Sequence, residues 1–138
     1  AYFQAKARLV EHVDQNGVVV VNADDPAWAK LPRRGRTVTF AAAGGDADVA
    51  MRDVTLGPTG ATATLRIGAD ETPVRLPLLG DFNVDNAAAA AATAWALGMA
   101  IDEIAYRLGS VPQVPGRLEL LNVSPVVLRD YAHTPDSL

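Results

Sequence analysis

The segment VVVVNADDP, residues 18–26, decides the fold class of this chain. Four β-branched residues in a row, without polar alternation, are typical of a parallel strand that is covered on both faces. The polar residues that follow predict a short helix at about Ala27–Leu31, with Asp25 as its N-cap and Pro26 at its first position. Thr37–Phe40 resembles a second strand, so the spacing predicts a parallel strand–helix–strand unit of an α/β fold.

On the N-terminal side of this segment, apolar residues recur at helical spacing from Tyr2 to Val13. The polar run Asp14–Gly17 is expected to end that helix, with Gly17 as its C′ residue. On the C-terminal side, three strand-like stretches are separated by glycine-containing turns. They predict a small antiparallel sheet over Asp48–Leu56, Ala61–Ile67 and Thr72–Leu78.

The last third of the chain begins with two predicted helices. The alanine-rich helix Asn83–Leu97 ends at Gly98, and Asp102–Leu108 is followed by Gly109. A proline-containing linker and two short strands complete the chain. We expect the linker at Pro112–Pro115, strands at Leu118–Leu121 and Val126–Arg129, and a domain boundary within Val114–Gly116.

Composition narrows the class of protein. The chain has 138 residues, 49% of them apolar and 20% charged, with no cysteine and a net charge of −4. This excludes disulfides and thiolate metal sites, and argues against a nucleic-acid partner, which needs a basic face. No apolar run is long enough for a membrane span and no signal peptide opens the chain, so we expect a cytoplasmic protein. The basic cluster Arg33, Arg34 and Arg36 is interpreted as a solvated loop.

General motif chemistry identifies no active site by itself. The chain contains no HExxH motif, no acidic calcium loop and no GxxxxGK[ST] phosphate loop, and His12 is interpreted as a surface residue. Two features nevertheless allow a ligand contact. Asn83 and Asn86 could cap the alanine-rich helix, or an amide there could bind the edge of an adenine. Lys6 could extend along apolar surface to reach solvent, or carry chemistry.

Two further features lie near the expected domain boundary. The Gly116-Arg117 pair is compatible with a turn and a surface ion pair, or with a guanidinium held toward phosphates. Asp130-Tyr131-Ala132-His133-Thr134-Pro135 follows a predicted strand, where α/β folds bind ligands. An ordinary turn that begins at Asp130 explains the same residues.

Taken together, these features resemble the Mur ligase family, and most closely its branch of UDP-N-acetylmuramyl-tripeptide synthetases (MurE). Any one match is weak, but five occur in the expected order and spacing over nearly the whole chain. The matching blocks are YFQAKARL at 2–9, VNADDP at 21–26, LGDFNVDN at 79–86, VPGRLE at 114–119 and DYAHTPDSL at 130–138.

The resemblance implies a multidomain enzyme. Residues 1–113 would form the later half of the central ATP-binding domain, and residues 114–138 the linker and first strands of the C-terminal domain. It also implies that Lys6 is carbamylated and holds Mg²⁺, and that Asn86 contacts adenine. Arg117 would approach the ATP phosphates, Asp130 would bind the ribose, and His133 would lie in the same nucleotide loop. Asn83 would support Asn86, whereas we interpret Asn22 and Asp24 as turn residues.

The implied reaction adds diaminopimelate or lysine to UDP-MurNAc-L-Ala-D-Glu by way of an acyl phosphate made from ATP. The resemblance also implies a monomer, with the nucleotide-sugar dipeptide and an amino acid as partners and no membrane or nucleic acid. Because the phosphate loop is not in these 138 residues, we expect no ATP hydrolysis by them alone. The alternatives are a folylpolyglutamate or cyanophycin synthetase-like ligase, and a non-catalytic scaffold domain. Arg129 departs from the family pattern, in which an apolar residue is more usual.

Overall fold

The computed structural model describes residues 2–32 and 34–134, and these form a mixed α/β structure. A five-stranded sheet carries two helices, and a separate two-stranded sheet follows them. The helices are α1 (Tyr2–Ala7), α2 (Asp81–Ala96) and α3 (Ile101–Gly109), and 3₁₀ turns span Arg8–His12 and Pro26–Lys30. The strands of the large sheet are β1 (Val18–Asn22), β2 (Arg36–Ala41), β3 (Val49–Gly57), β4 (Gly60–Ile67) and β5 (Asp70–Leu76). The strands of the small sheet are β6 (Glu119–Val123) and β7 (Val126–Arg129). The α/β fold class is therefore confirmed.

The parallel and antiparallel parts belong to one sheet with the order β1-β2-β3-β4-β5, whereas the sequence predicted a separate small sheet. β3 pairs in parallel with the end of β2, through Phe40–Val49 and Ala41–Ala50, and then antiparallel with β4. Because β3 starts where β2 ends, the chain does not return along the sheet, and no crossover helix is needed. Thr39 strengthens this connection by donating its N–H and hydroxyl to Asp48 Oδ2 at 2.8 and 2.9 Å.

The hydrophobic core lies between this sheet and α2 and α3. Met51, Leu65 and Leu76 are the largest fully buried side chains, and each contributes about 1.5–3 kcal/mol by leaving water. The face of α2 that contacts β1, β2 and β3 is lined by small residues, so the helix approaches the strands closely. These buried alanines are Ala87, Ala88, Ala91 and Ala92.

Two local predictions about helices were wrong. The first helix is α-helical only to Ala7 and continues as a 3₁₀ turn to His12, and Gly17 is not its C′ residue. Val13 is already extended, and the Gly17 N–H instead closes a turn on the Asp14 carbonyl at 3.1 Å. Glycine is required there by space, since an added Cβ would lie 2.4 Å from the side chain of Val13.

The short helix after β1 is also 3₁₀ rather than α-helical, but its predicted cap is confirmed. Asp25 Oδ1 accepts the N–H of Ala27 at 2.9 Å, and Pro26 is the first helical residue. β1 itself is only half-buried along its length, because α2 covers one face and an open groove lies on the other. Within the described residues, no helix has both the length and the apolarity needed to cross a membrane.

The two predicted C-terminal strands are present as the antiparallel pair β6 and β7. Every residue from Leu121 to Tyr131 is exposed, including the apolar ones. This hairpin is therefore stabilised chiefly by its own hydrogen bonds and by contacts with the linker before it.

Candidate functional site

The polar residues after β1 form a tight structural turn. Asn22 Oδ1 accepts the N–H of Asp24 at 2.8 Å. Asp24 in turn accepts the N–H groups of Ala42, Ala43 and Gly45, at 2.6, 2.9 and 3.2 Å, and so fixes the loop after β2. Burial raises the pKa of this carboxyl group, but the three hydrogen bonds outweigh that effect and lower it overall. The interpretation of Asn22 and Asp24 as turn residues agrees with this geometry.

Lys6 lies on α1, next to the carboxyl end of β1. Its side chain is exposed and lines a groove of about 360 Å³ that also contains Asn22. The rest of the groove wall is mostly apolar, with Val20, Trp28 and Phe40 among its residues. The stem of the lysine therefore has an apolar surface beside it, an arrangement that both of its sequence interpretations share.

Asn83 and Asn86 lie inside the first turns of α2 and do not cap it. The N-cap residue is Gly80, at φ 92°, and no side chain accepts a hydrogen bond there. Asn83 Nδ2 donates to the carbonyl of Leu79 at 2.7 Å, and Asn86 Nδ2 donates to Asn83 Oδ1 at 3.3 Å. Asn83 thus orients Asn86, which keeps its amide oxygen and one N–H directed at solvent.

The pKa of the Asp85 side chain reflects the position of the start of α2 relative to the sheet. Partial burial raises the pKa of Asp85, and the negative charges of Asp24 and Asp81 raise it further. Asp24 lies two residues after the end of β1, and α2 contacts that strand, so the effect of Asp24 on Asp85 puts the start of α2 near the carboxyl end of β1. Lys6, Asn22 and Asn86 consequently lie at the edge where α/β sheets bind ligands. Sequence inspection did not identify Asp85, because an acidic residue in a first helical turn is common.

The other candidate residues gather in the junction between α3 and the hairpin. Arg117 donates its backbone N–H to the carbonyl of Val114 at 3.0 Å, and its guanidinium has no hydrogen bond or ion pair with any described residue. Asp130 Oδ2 accepts the N–H of Leu118 at 2.8 Å, so the structure brings Arg117 and Asp130 together. Of the two interpretations of the Gly116-Arg117 pair, the turn is present, and no ion pair of Arg117 forms among the described residues.

Asp130 also forms the turn that its sequence context allowed. Its Oδ1 accepts the N–H of Ala132 at 2.7 Å. The N–H groups of Leu118 and Ala132, together with the nearby positive charge of Arg117, lower the pKa of this carboxyl group. The carboxylate thus remains charged at neutral pH, with lone pairs left for another donor.

His133 is held beside Tyr131 at the end of the described chain. Its Nδ1 lies 2.9 Å from the carbonyl oxygen of Tyr131, and the two rings meet edge to face at 5.1 Å. Pro135, the last residue of the sequence block that contains His133, lies outside the described residues. The imidazole is exposed and has its Nε2 directed away from this contact.

The basic cluster gives no phosphate site in the described part of the chain. Arg33 lies outside the described residues. Arg34 Nη1 donates to the carbonyl of Glu11 at 2.7 Å, and the Arg36 guanidinium lies 5.1 Å from the ring centre of Trp95. Both arginines are exposed but engaged with their own chain.

No group of three histidine or acidic side chains in the described ranges forms a ready metal site. Mg²⁺ in nucleotide sites usually has one or two protein carboxylates, with phosphate oxygens and water completing its shell. A single carbamate on Lys6 fits that pattern, because the groove beside it is open to solvent. A carbamylated Lys6 would supply one ligand to a phosphate-bound Mg²⁺, and the described residues form no complete cage.

Comparison with known proteins identifies the family of this chain. A profile described as the Mur ligase middle domain matches residues 1–94. A UDP-N-acetylmuramoyl-L-alanyl-D-glutamate–2,6-diaminopimelate ligase of Synechococcus elongatus is 39% identical, over 100% of this chain and 29% of that protein. The chain thus spans less than a third of the length of such relatives.

Solved structures give the same result for the fold. A UDP-N-acetylmuramoylalanyl-D-glutamyl-2,6-diaminopimelate–D-alanyl-D-alanyl ligase from Acinetobacter baumannii superimposes on 98% of this chain and 31% of its own, with a TM-score of 0.85 and 31% identity. A UDP-N-acetylmuramoyl-L-alanyl-D-glutamate–2,6-diaminopimelate ligase superimposes on 99% of this chain and 29% of its own, with a TM-score of 0.80 and 29% identity. These two proteins are named for different amine substrates, so the region they share with this chain does not by itself define that substrate.

Proposed function

The chain belongs to the Mur ligase family, and from this premise we propose that the complete protein is an ATP-dependent acid–amino-acid ligase of peptidoglycan precursor synthesis. The substrates would be UDP-MurNAc-L-Ala-D-Glu and diaminopimelate or lysine, joined through an acyl phosphate, in a cytoplasmic monomer. The choice of this branch is supported by the 39% identity to a diaminopimelate ligase over the full length of the chain.

The observation that carries the proposal is the position of Asn86 and Lys6 beside the carboxyl end of β1. Asn86 has an amide oxygen and an N–H directed at solvent, the pair of groups that an adenine edge requires. Lys6 lines an open groove at the same edge of the sheet. An adenine at the start of α2 would have its phosphates within reach of the groove that contains the lysine.

We assign residues 1–113 to the central ATP-binding domain and residues 114–138 to the linker and the beginning of the C-terminal domain. The change from a buried sheet to a largely exposed hairpin after the linker supports this division. Asp130 would bind the ribose and Arg117 the phosphates, both from the linker side, with His133 beside them. Nucleotide binding would then link the two domains and couple their closure to the reaction.

In this assignment the chain contributes binding and charge neutralisation rather than a nucleophile. Arg117 would pair with phosphate oxygens through its planar fork, and Asn86 would hold the base in register. When bound, Mg²⁺ would neutralise phosphate charge, with a carbamate on Lys6 as one ligand. Fixed positive charge placed where negative charge builds up is the main source of rate enhancement in phosphoryl transfer.

The proposal is tested by assaying the complete protein for phosphate release from ATP with UDP-MurNAc-L-Ala-D-Glu and each candidate amine. We expect release with diaminopimelate or lysine, and none by the 138 residues alone, which contain no GxxxxGK[ST] phosphate loop. D-Ala-D-Ala, with the corresponding tripeptide precursor as acceptor, is included because of the likeness to the Acinetobacter structure. A complete protein that releases no phosphate under any of these conditions would contradict the proposed function and leave the two alternatives, a ligase of other substrates or a non-catalytic scaffold. Turnover by the isolated chain would contradict the assignment of these residues.

Asn86→Asp in the complete protein is expected to raise the KM for ATP about tenfold or more. The substitution keeps the shape of the side chain but replaces the N–H donor with an acceptor, so one adenine contact becomes unfavourable. Initial rates with ATP and GTP measure both the loss and any change of base preference. Thr93→Ala, which alters an exposed residue later on α2, is the matched control. An unchanged KM for Asn86→Asp would remove Asn86 from the adenine site.

A further inference from the structure

The junction that presents Arg117 is held by an ion pair between the two hairpin strands. We propose that Glu119 and Arg129 are positioning residues that lock the Gly116–Leu118 turn and so set the direction in which Arg117 leaves the chain. This inference rests on the proposed function, in which Arg117 approaches the ATP phosphates.

One oxygen atom forms the centre of the lock. Glu119 Oε2 accepts the N–H of Gly116 at 2.8 Å and the Nε–H of Arg129 at 2.7 Å, and Arg129 Nη2 lies 2.6 Å from the same oxygen. The Glu119 side chain is only 17% exposed, although the hairpin around it is open to solvent. Glu119 and Arg129 are directly opposite in the strand register, so the strand pairing brings their side chains together.

The turn that they hold requires support. Gly116 has φ 72° and Leu118 has φ 41°, which is the left-handed region that residues with a Cβ avoid. Such a conformation persists where the surroundings impose it. Here the Leu118 N–H donates to Asp130 and the Tyr131 N–H donates to the Gly116 carbonyl, both at 2.8 Å.

The backbone on both sides of Arg117 is therefore fixed, while its guanidinium forms no hydrogen bond or ion pair with a described residue. This arrangement suits a phosphate-binding arginine. Because the backbone is already ordered and the guanidinium can still form hydrogen bonds, less conformational entropy is lost when the phosphate binds. This also accounts for a charged residue at Arg129, on an exposed strand. Its role is to complete the Glu119 contact from the opposite strand.

The charge state of Glu119 keeps the lock closed at neutral pH. The Gly116 N–H, followed by the Arg129 guanidinium, lowers the pKa of Glu119 below its ordinary value. A lowered folded-state pKa means that the stabilisation is fully present above the ordinary glutamate pKa of about 4.3. It is lost as the pH falls from there through the folded-state pKa, so neutral assay conditions do not disturb it.

The test uses the complete ligase and the variants Glu119→Gln and Arg129→Leu. Each is expected to lower kcat/KM for ATP about tenfold, because a small displacement of a charged group costs that much or more. Arg129→Lys should restore part of the loss, since it keeps the charge but not the fork. The matched control is Glu103→Gln, which breaks the exposed Glu103–Arg107 ion pair on α3, also at 2.7 Å, and should leave kcat/KM unchanged.

The decisive measurement is made in the Arg117→Ala background. If Glu119 acts through Arg117, Glu119→Gln should cause no further loss there, because effects that share one pathway do not add. A second tenfold loss in that background, or no loss in either variant alone, overturns the positioning role. The role of Arg117 is judged separately, since full activity of Arg117→Ala would contradict its assignment to the phosphates, whereas the proposed ligase function fails only if the complete protein releases no phosphate. Thermal unfolding of each variant checks that it is folded.

Discussion

Arg117→Ala in the complete ligase is expected to lower kcat for ATP-dependent ligation about 10²–10³-fold, which is the typical cost of removing one preorganised donor from a developing negative charge. The guanidinium is exposed and forms no hydrogen bond or ion pair with a described residue, although its positive charge lies near Asp130, so its removal breaks no hydrogen bond. The folded state should therefore be little affected. Single-turnover measurement of phosphate release separates this chemical effect from ATP binding.

Two comparisons make the Arg117 result specific. Arg107→Ala removes an exposed arginine from α3 and is expected to leave the rate unchanged. Arg117→Lys keeps the charge but loses the planar fork, so we expect an intermediate rate. If Arg117→Ala retained the wild-type kcat, the residue would belong to the turn alone, and the phosphate site would have to be built without the linker.

Lys6→Ala is expected to reduce ligation by at least about 10²-fold, because it removes the proposed carbamate and with it one anionic ligand for Mg²⁺. Small carboxylates such as formate should restore part of the activity by occupying the open groove beside β1. Lys30→Ala, at the end of the exposed 3₁₀ turn, is the matched control and should behave as wild type. The activity of Lys6→Ala is measured with and without added formate at constant ionic strength.

The Lys6 experiment has two clear negative results. Wild-type activity of Lys6→Ala would exclude any role in catalysis. A loss that formate does not affect, combined with a lowered melting temperature, would mean that Lys6 supports the packing of α1. Mass measurement of the intact wild-type protein under carbon dioxide provides an independent check, because a carbamate adds a defined mass to one lysine.

Much of the fold follows from local patterns. The β-branched run predicted β1, the alternation of polar and apolar residues predicted β4, and Asp25-Pro26 predicted the start of the 3₁₀ turn. Each of these elements depends on neighbours only a few residues away. Helix type was harder to predict. Periodicity from Tyr2 to Val13 does not distinguish an α-helix from an α-helix that tightens into a 3₁₀ turn, because both bring similar residues to one face.

The candidate site was predictable as a set of residue types but not as an arrangement. The motifs pointed to Lys6, Asn86, Arg117, Asp130 and His133, and their roles stay predictions until the variants are measured. The resemblance implied that Asn83 supports Asn86, but the sequence did not reveal that it does so from inside the helix rather than as a cap. It also did not reveal that Glu119 and Arg129 share one carboxylate oxygen with the Gly116 N–H. Side-chain direction decides both contacts.

The sequence by itself determined that residues 18–26 begin a parallel α/β unit, that an antiparallel meander follows, and that the chain belongs with the Mur ligases. Only the tertiary structure decided that β3 joins both parts in one sheet. It also decided that Asp24 binds backbone N–H groups of a loop 18–21 residues away, and that Asp130 supports the turn that contains Arg117. The reason is physical. Periodicity and caps report interactions between near neighbours, whereas these contacts join carboxylates to backbone N–H groups that become neighbours only after the chain has folded.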